Sequence, residues 1–67
     1  MSDEKMEKLT LSACRTNAGL TQTELANRMN VSVATILNWE KYRTHMSAPQ
    51  LVEFSEIVQI NPARIKL

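Results

Sequence analysis

Apolar residues recur along this chain at helical spacing, in short runs separated by polar turns. Thr10 is an N-cap type of residue. From it, Leu11, Cys14 and Ala18 mark one face of a first helix that closes at Gly19, a residue suited to the position just past a helix. Thr21-Gln22-Thr23-Glu24 is a capping-box pattern, in which hydroxyl and carboxylate satisfy each other's orphan N–H groups. It predicts a second helix to about Met29, with Leu25, Ala26 and Met29 on one side. Asn30 tolerates the left-handed backbone of a tight turn. Ser32 then caps a third helix over about residues 33–41, and residues 41–47 read as a polar loop. Ser47 or Ala48 opens a fourth helix, with Pro49 in its first turn and Leu51, Val52, Phe54, Ile57 and Val58 facing inward. Asn61-Pro62 pairs an N-cap with a proline at the first helical position, so a last short helix is expected to run toward Leu67.

Residues 22–41 carry most of the information. Two helices joined by a three-residue turn cross steeply only where the contact is small, and Ala26 supplies that small side chain. Val31 is an apolar residue in an otherwise polar turn, which makes sense if it is buried between the helices. Ile36 and Trp39, three apart, share the inner face of the third helix. Rotating that helix by ~100° per residue leaves Ala34, Asn38 and Lys41 outward, with Thr35 and Leu37 at the flanks and Val33 at the exposed N-terminus. That outer face is small or polar, and a B-DNA major groove about 12 Å wide accepts such a helix. Asn38 suits a bidentate pair with adenine. Val33, Ala34, the Thr35 methyl and Leu37 suit thymine methyl groups. Gln22 and Ser32, at the two helix N-termini, are candidates for phosphate contact, and Lys41 and Arg43 reach toward the backbone just past the reading helix.

Composition narrows the picture without redirecting it. Sixty-seven residues make a single domain, 1–67, with residues 1–8 expected to be a flexible N-terminus. A chain of this size buries roughly 60% of the surface that it exposes unfolded, so each large apolar residue matters. Its one cysteine precludes an internal disulfide and suits a reducing cytoplasm. No apolar run approaches the ~20 residues of a membrane span. Net charge is +1, but residues 9–43 carry net +2 while residues 1–8 carry net −1, which permits DNA binding without demanding it.

Gly19-Leu20-Thr21-Gln22-Thr23-Glu24-Leu25-Ala26, then Val31-Ser32, Ile36 and Trp39-Glu40, resembles the lambda-type repressor and Cro (XRE-like) superfamily of helix-turn-helix proteins. The likeness runs over residues ~9–67 and implies an all-α, five-helix lambda-repressor-like DNA-binding domain with its helix-turn-helix at about 22–41. It further implies a Cro-like repressor, a phage or bacterial setting in the host cytoplasm at the nucleoid, and homodimeric binding to a palindromic operator. Members of the family commonly pair the arginine matching Arg15 with the acid matching Glu40. The residues concur, since Glu40 lies beside Ile36 and Trp39, close enough to the core to need a partner. Two positions depart from the family. A glycine is usual where Tyr42 stands, and because tyrosine is a poor left-handed residue the third helix is expected to extend or end differently. A polar residue is more usual where Leu37 stands.

The remaining polar groups read as ordinary surface or packing. Cys14 is taken as inert core, His45 as a surface residue, and Glu53 and Glu56 as a solvated face. Arg64 and Lys66 are read as solubilising the tail, with phosphate contact as the alternative. Nothing resembles a nucleophile–base pair, a glycine-rich phosphate loop or a metal-ligand cluster, so no enzymatic activity, cofactor, metal or small-molecule ligand is expected. The expected partners are double-stranded DNA and a second copy of the chain. That copy would dock through residues 54–67, where Val58, Ile60, Ile65 and Leu67 are more apolar than a small domain needs. The competing expectation is an antitoxin-like or other protein-interaction module on the same fold.

Overall fold

Local hydrogen bonds set every helix start. The computed structural model describes residues 7–67; most of the expected flexible N-terminus, residues 1–6, lies outside the described residues. The first helix, α1 (Leu11–Asn17), begins where the Thr10 hydroxyl accepts from the Ala13 N–H at 3.1 Å. It ends into Gly19, whose φ of 75° is the left-handed conformation that glycine adopts without a Cβ clash. Helix α2 (Gln22–Met29) has its complete capping box, with Thr21 and Glu24 bonded in both directions. Asn30 then turns the chain at φ 58°. Helix α3 (Val33–Glu40) starts on Ser32, whose hydroxyl accepts from the Thr35 N–H at 3.1 Å. Helix α4 (Ala48–Val58) starts on Ser47 with a second capping box, through Gln50.

The predicted fifth helix is instead a single 3₁₀ turn, Pro62–Arg64, so the described residues hold four α-helices. The cause lies in the residue after the turn. Ile65 becomes extended (φ −99°, ψ 129°) and buries its side chain to 1% exposure. Its neighbours pair with Leu9 in an isolated parallel bridge: the Leu9 N–H donates to the Arg64 carbonyl at 2.7 Å, and the Lys66 N–H donates to the Leu9 carbonyl at 2.7 Å. Continuing the helix would forfeit both bonds and expose an isoleucine.

The core gathers Leu11 and Cys14 from α1, Leu25, Ala26 and Met29 from α2, Ile36 and Trp39 from α3, and Phe54 and Val58 from α4, closed by Ile65. Four packing expectations need correction. Ala18 is exposed, because α1 has already ended at Asn17 and Ala18 is its C-cap. Val52 is 52% exposed, since Leu51, Phe54, Ser55 and Val58 already form the inward stripe of α4. Val58 and Ile65, expected at a surface between two copies, lie in the core of the single chain. No helix of the described residues is long and apolar enough to cross a membrane.

Candidate nucleic-acid interface

Ile36 and Trp39 are 1% and 4% exposed, which fixes the rotation of α3 about its axis. Ala34, Leu37 and Lys41 are accordingly exposed and Asn38 half-buried. Leu37 retains 37% of its surface. Val33 is half-buried and packs against the core, so it offers less outward surface than expected from its place at the helix start. Thr35 is also half-buried, its hydroxyl 3.0 Å from that of Ser32. Ala34, Leu37, Asn38 and Lys41 thus share one outer face, with Val33 and Thr35 along its edge.

Helices α2 and α3 pack against one another with Ala26 and Ile36 both buried in the shared core, and Val31 in the turn packs against the same core. The first N–H groups of each helix lie ahead of the first intrahelical bond and carry the positive end of the dipole. Gln22 and Val33 occupy those first positions. The Ser32 hydroxyl is committed to capping, leaving the backbone as the open donor there.

Beneath this surface sits a polar knot. Arg15 Nε donates to Glu40 Oε2 at 2.6 Å and Arg15 Nη2 to Oε1 at 3.3 Å, with the two side chains 12% and 9% exposed. Arg15 Nη1 also donates to the Leu20 carbonyl at 2.9 Å. The Gln22 amide donates to Glu40 Oε1 at 3.1 Å. One carboxylate therefore ties α1 and α2 to the end of α3, and each of its oxygens has a donor. One of the two donors of the Gln22 amide is thus used within the protein, while the N–H groups of the α2 N-terminus, the basis for expecting phosphate there, are unaffected. No local pattern signals this bond, because Gln22 and Glu40 lie on different helices.

Tyr42 is the other residue whose role is hidden from the sequence. Helix α3 ends at Glu40, and Tyr42 adopts φ 59°, the left-handed region expected to exclude it. Its N–H donates to the Trp39 carbonyl at 3.0 Å. The hydroxyl accepts from the Leu11 N–H at 3.2 Å and donates to the Lys66 carbonyl at 2.8 Å. These long-range bonds offset the strain of a non-glycine residue there, which is of order 1–3 kcal/mol. The usable signal was the hydroxyl itself, at a position where the family commonly has no side chain. Lys41 and Arg43 flank Tyr42 and are exposed, and the Arg43 N–H donates to the Asn38 carbonyl at 2.9 Å, so the exit loop folds back on α3.

Two ionisable groups depart from their ordinary behaviour. The Thr21 N–H, donating to Glu24 at 2.8 Å, and then the Thr21 hydroxyl hold the Glu24 carboxyl below the usual carboxylate range. Burial pushes the Cys14 thiol up, which keeps it protonated and unreactive at neutral pH. Among the described residues no group of three His, Cys, Asp or Glu side chains is placed to hold a metal ion.

A search of curated proteins and a search of solved structures each returned no match. The model of a protein family described as helix-turn-helix matches residues 11–65, from the first residue of α1 to the buried Ile65. With its capped α2, left-handed turn and α3 presenting an outward face, the chain belongs to the helix-turn-helix family of the lambda-repressor and Cro (XRE-like) type.

Proposed function

We propose that the chain is a Cro-like repressor that reads a palindromic DNA operator with α3 in the major groove. Membership of the family makes it a DNA-binding regulatory domain of the XRE type. The observation that carries the finer reading is the burial of Ile36 and Trp39, which leaves Ala34, Leu37, Asn38 and Lys41 on one outward face of α3. Asn38 pairs with adenine, and Ala34 and Leu37 meet thymine methyls, with Val33 and the Thr35 methyl at the edge of the contact. Phosphates are held by the backbone N–H groups at Gln22 and just after Ser32, and by Lys41 and Arg43.

Reading a palindrome takes two copies, with half-sites one turn apart, about 34–36 Å. With Val58 and Ile65 in the core, the large apolar side chains left for self-association in the C-terminal region are Ile57 and Ile60, both half-buried, and the exposed Leu67. Selection of the full chain against random duplexes tests the whole reading. Recovery of one inverted repeat supports it, and recovery of no preferred sequence overturns it. On the selected site, Asn38→Ala is expected to cost about 1–3 kcal/mol and to relax preference at one base pair. An equal loss on all duplexes would remove the base-reading role.

A further inference from the structure

The bridge between Leu9 and Ile65 has two faces. Ile65 is extended and buried, so strand alternation turns Lys66 away from the core, and Arg64, the last residue of the 3₁₀ turn, is exposed beside it. Leu9 packs against the core, which by the same alternation turns Lys8 outward. Lys8, Arg64 and Lys66 are all exposed. Among the described residues, Glu7 is the acidic side chain on this strap, so the cations outnumber it.

Tyr42 joins that strap to the reading helix. Its hydroxyl donates to the Lys66 carbonyl at 2.8 Å and accepts from Leu11, two residues after Leu9. Its chain neighbours are Lys41 and Arg43, on the exit loop of α3. One tyrosine side chain therefore links the cation-bearing strap to the loop that carries Lys41 and Arg43. The like charges of Lys8, Arg64 and Lys66 oppose burial of this strap against a symmetry-related copy, where each would meet its own kind. A polyanion is the occupant that such a face suits, and a duplex carries one negative charge per about 1.7 Å of its axis.

We infer that Lys8, Arg64 and Lys66 form a second phosphate-contact surface, outside the helix-turn-helix, held in register with α3 by Tyr42. This rests on the DNA-binding reading above. The strap adds affinity and salt dependence and reads no sequence, because its contacts are charge to phosphate. Tyr42 is a positioning residue here, acting through the Lys66 carbonyl.

The test is the salt dependence of binding by the full chain to its selected duplex. Each phosphate contact contributes about 0.9 to the slope of log affinity against log salt. The triple variant Lys8→Gln, Arg64→Gln, Lys66→Gln is expected to lower the slope by about two or more, with the order of preferred sequences unchanged. Each single substitution is expected to lower it by about 0.9, which keeps the inference testable should the triple variant fold poorly. A slope unchanged by the substitutions, in a protein that binds its site, overturns the strap and leaves the reading helix standing. Absence of salt-dependent binding by the unsubstituted chain overturns both.

Discussion

Two polar ties hold the C-terminal end of α3, and they differ in kind. On one side, the Glu40 carboxylate is gripped by Arg15 and Gln22 in a site where the charged side chains are 12% and 9% exposed. On the other, the neutral Tyr42 hydroxyl links the start of α1 to the Lys66 carbonyl. The charged tie joins three helices, α1, α2 and α3. The neutral tie joins the start of α1 and the segment after the 3₁₀ turn to the exit loop of α3. Breaking the first strands a charge away from water, whereas breaking the second frees only neutral groups, the exposed Lys66 carbonyl and the part-buried Leu11 N–H. The same helix end is thus held by one tie that is costly to break and one that is not.

That asymmetry can be tested in order of size. Arg15→Ala is expected to destabilise the fold by about 3–5 kcal/mol in urea denaturation, because Glu40 is left without its counter-charge. A loss below about 1 kcal/mol would place the pair with ordinary surface ion pairs. Tyr42→Phe keeps the ring and the left-handed backbone but removes both hydroxyl bonds, and a loss of about 1–2 kcal/mol is expected by the same measurement. Equality of these two effects would erase the distinction between the ties. Gln22→Ala removes one of the three donors to Glu40, with an expected cost of about 1 kcal/mol. In an Arg15→Ala background its effect should change, since both residues serve one carboxylate, and strict additivity in that double-mutant cycle would separate them.

The smallest effect concerns another carboxylate, in the open. Glu24 has its pKa lowered in the folded state by the Thr21 N–H, so its contribution to stability is present above the unfolded value near 4.3 and lost as pH falls through the folded value. The unsubstituted chain should therefore melt higher than Glu24→Gln at pH 7, with the gap shrinking as the solution is acidified below about pH 4. A gap constant with pH would mean that the capping bond does not depend on the charge.

Legibility tracked the distance over which each feature is decided. The caps at Thr10, Thr21 and Ser32 and the left-handed Asn30 were readable because each involves residues within one turn of one another. The inward rotation of α3 was readable from the three-residue spacing of Ile36 and Trp39. Val52 was misplaced because α4 carries more apolar residues than its buried stripe can use, so spacing alone does not choose among them. The fifth helix failed for a different reason: Asn61-Pro62 did start a turn, and then the burial of Ile65 and its pairing beside Leu9 outweighed the local signal.

The amino-acid order by itself determined where the helices begin, which face of α3 is buried and which is offered, and that α3 succeeds a tight turn. These are consequences of bonds and spacings spanning three or four positions, which any stretch of chain carries with it. Tertiary structure alone decided that Gln22 serves Glu40, that Tyr42 can adopt its left-handed backbone, and that the two ends of the domain pair. The partners in those contacts lie from 18 to 56 positions apart in the chain, and no local pattern encodes a neighbour that arrives only when the core closes.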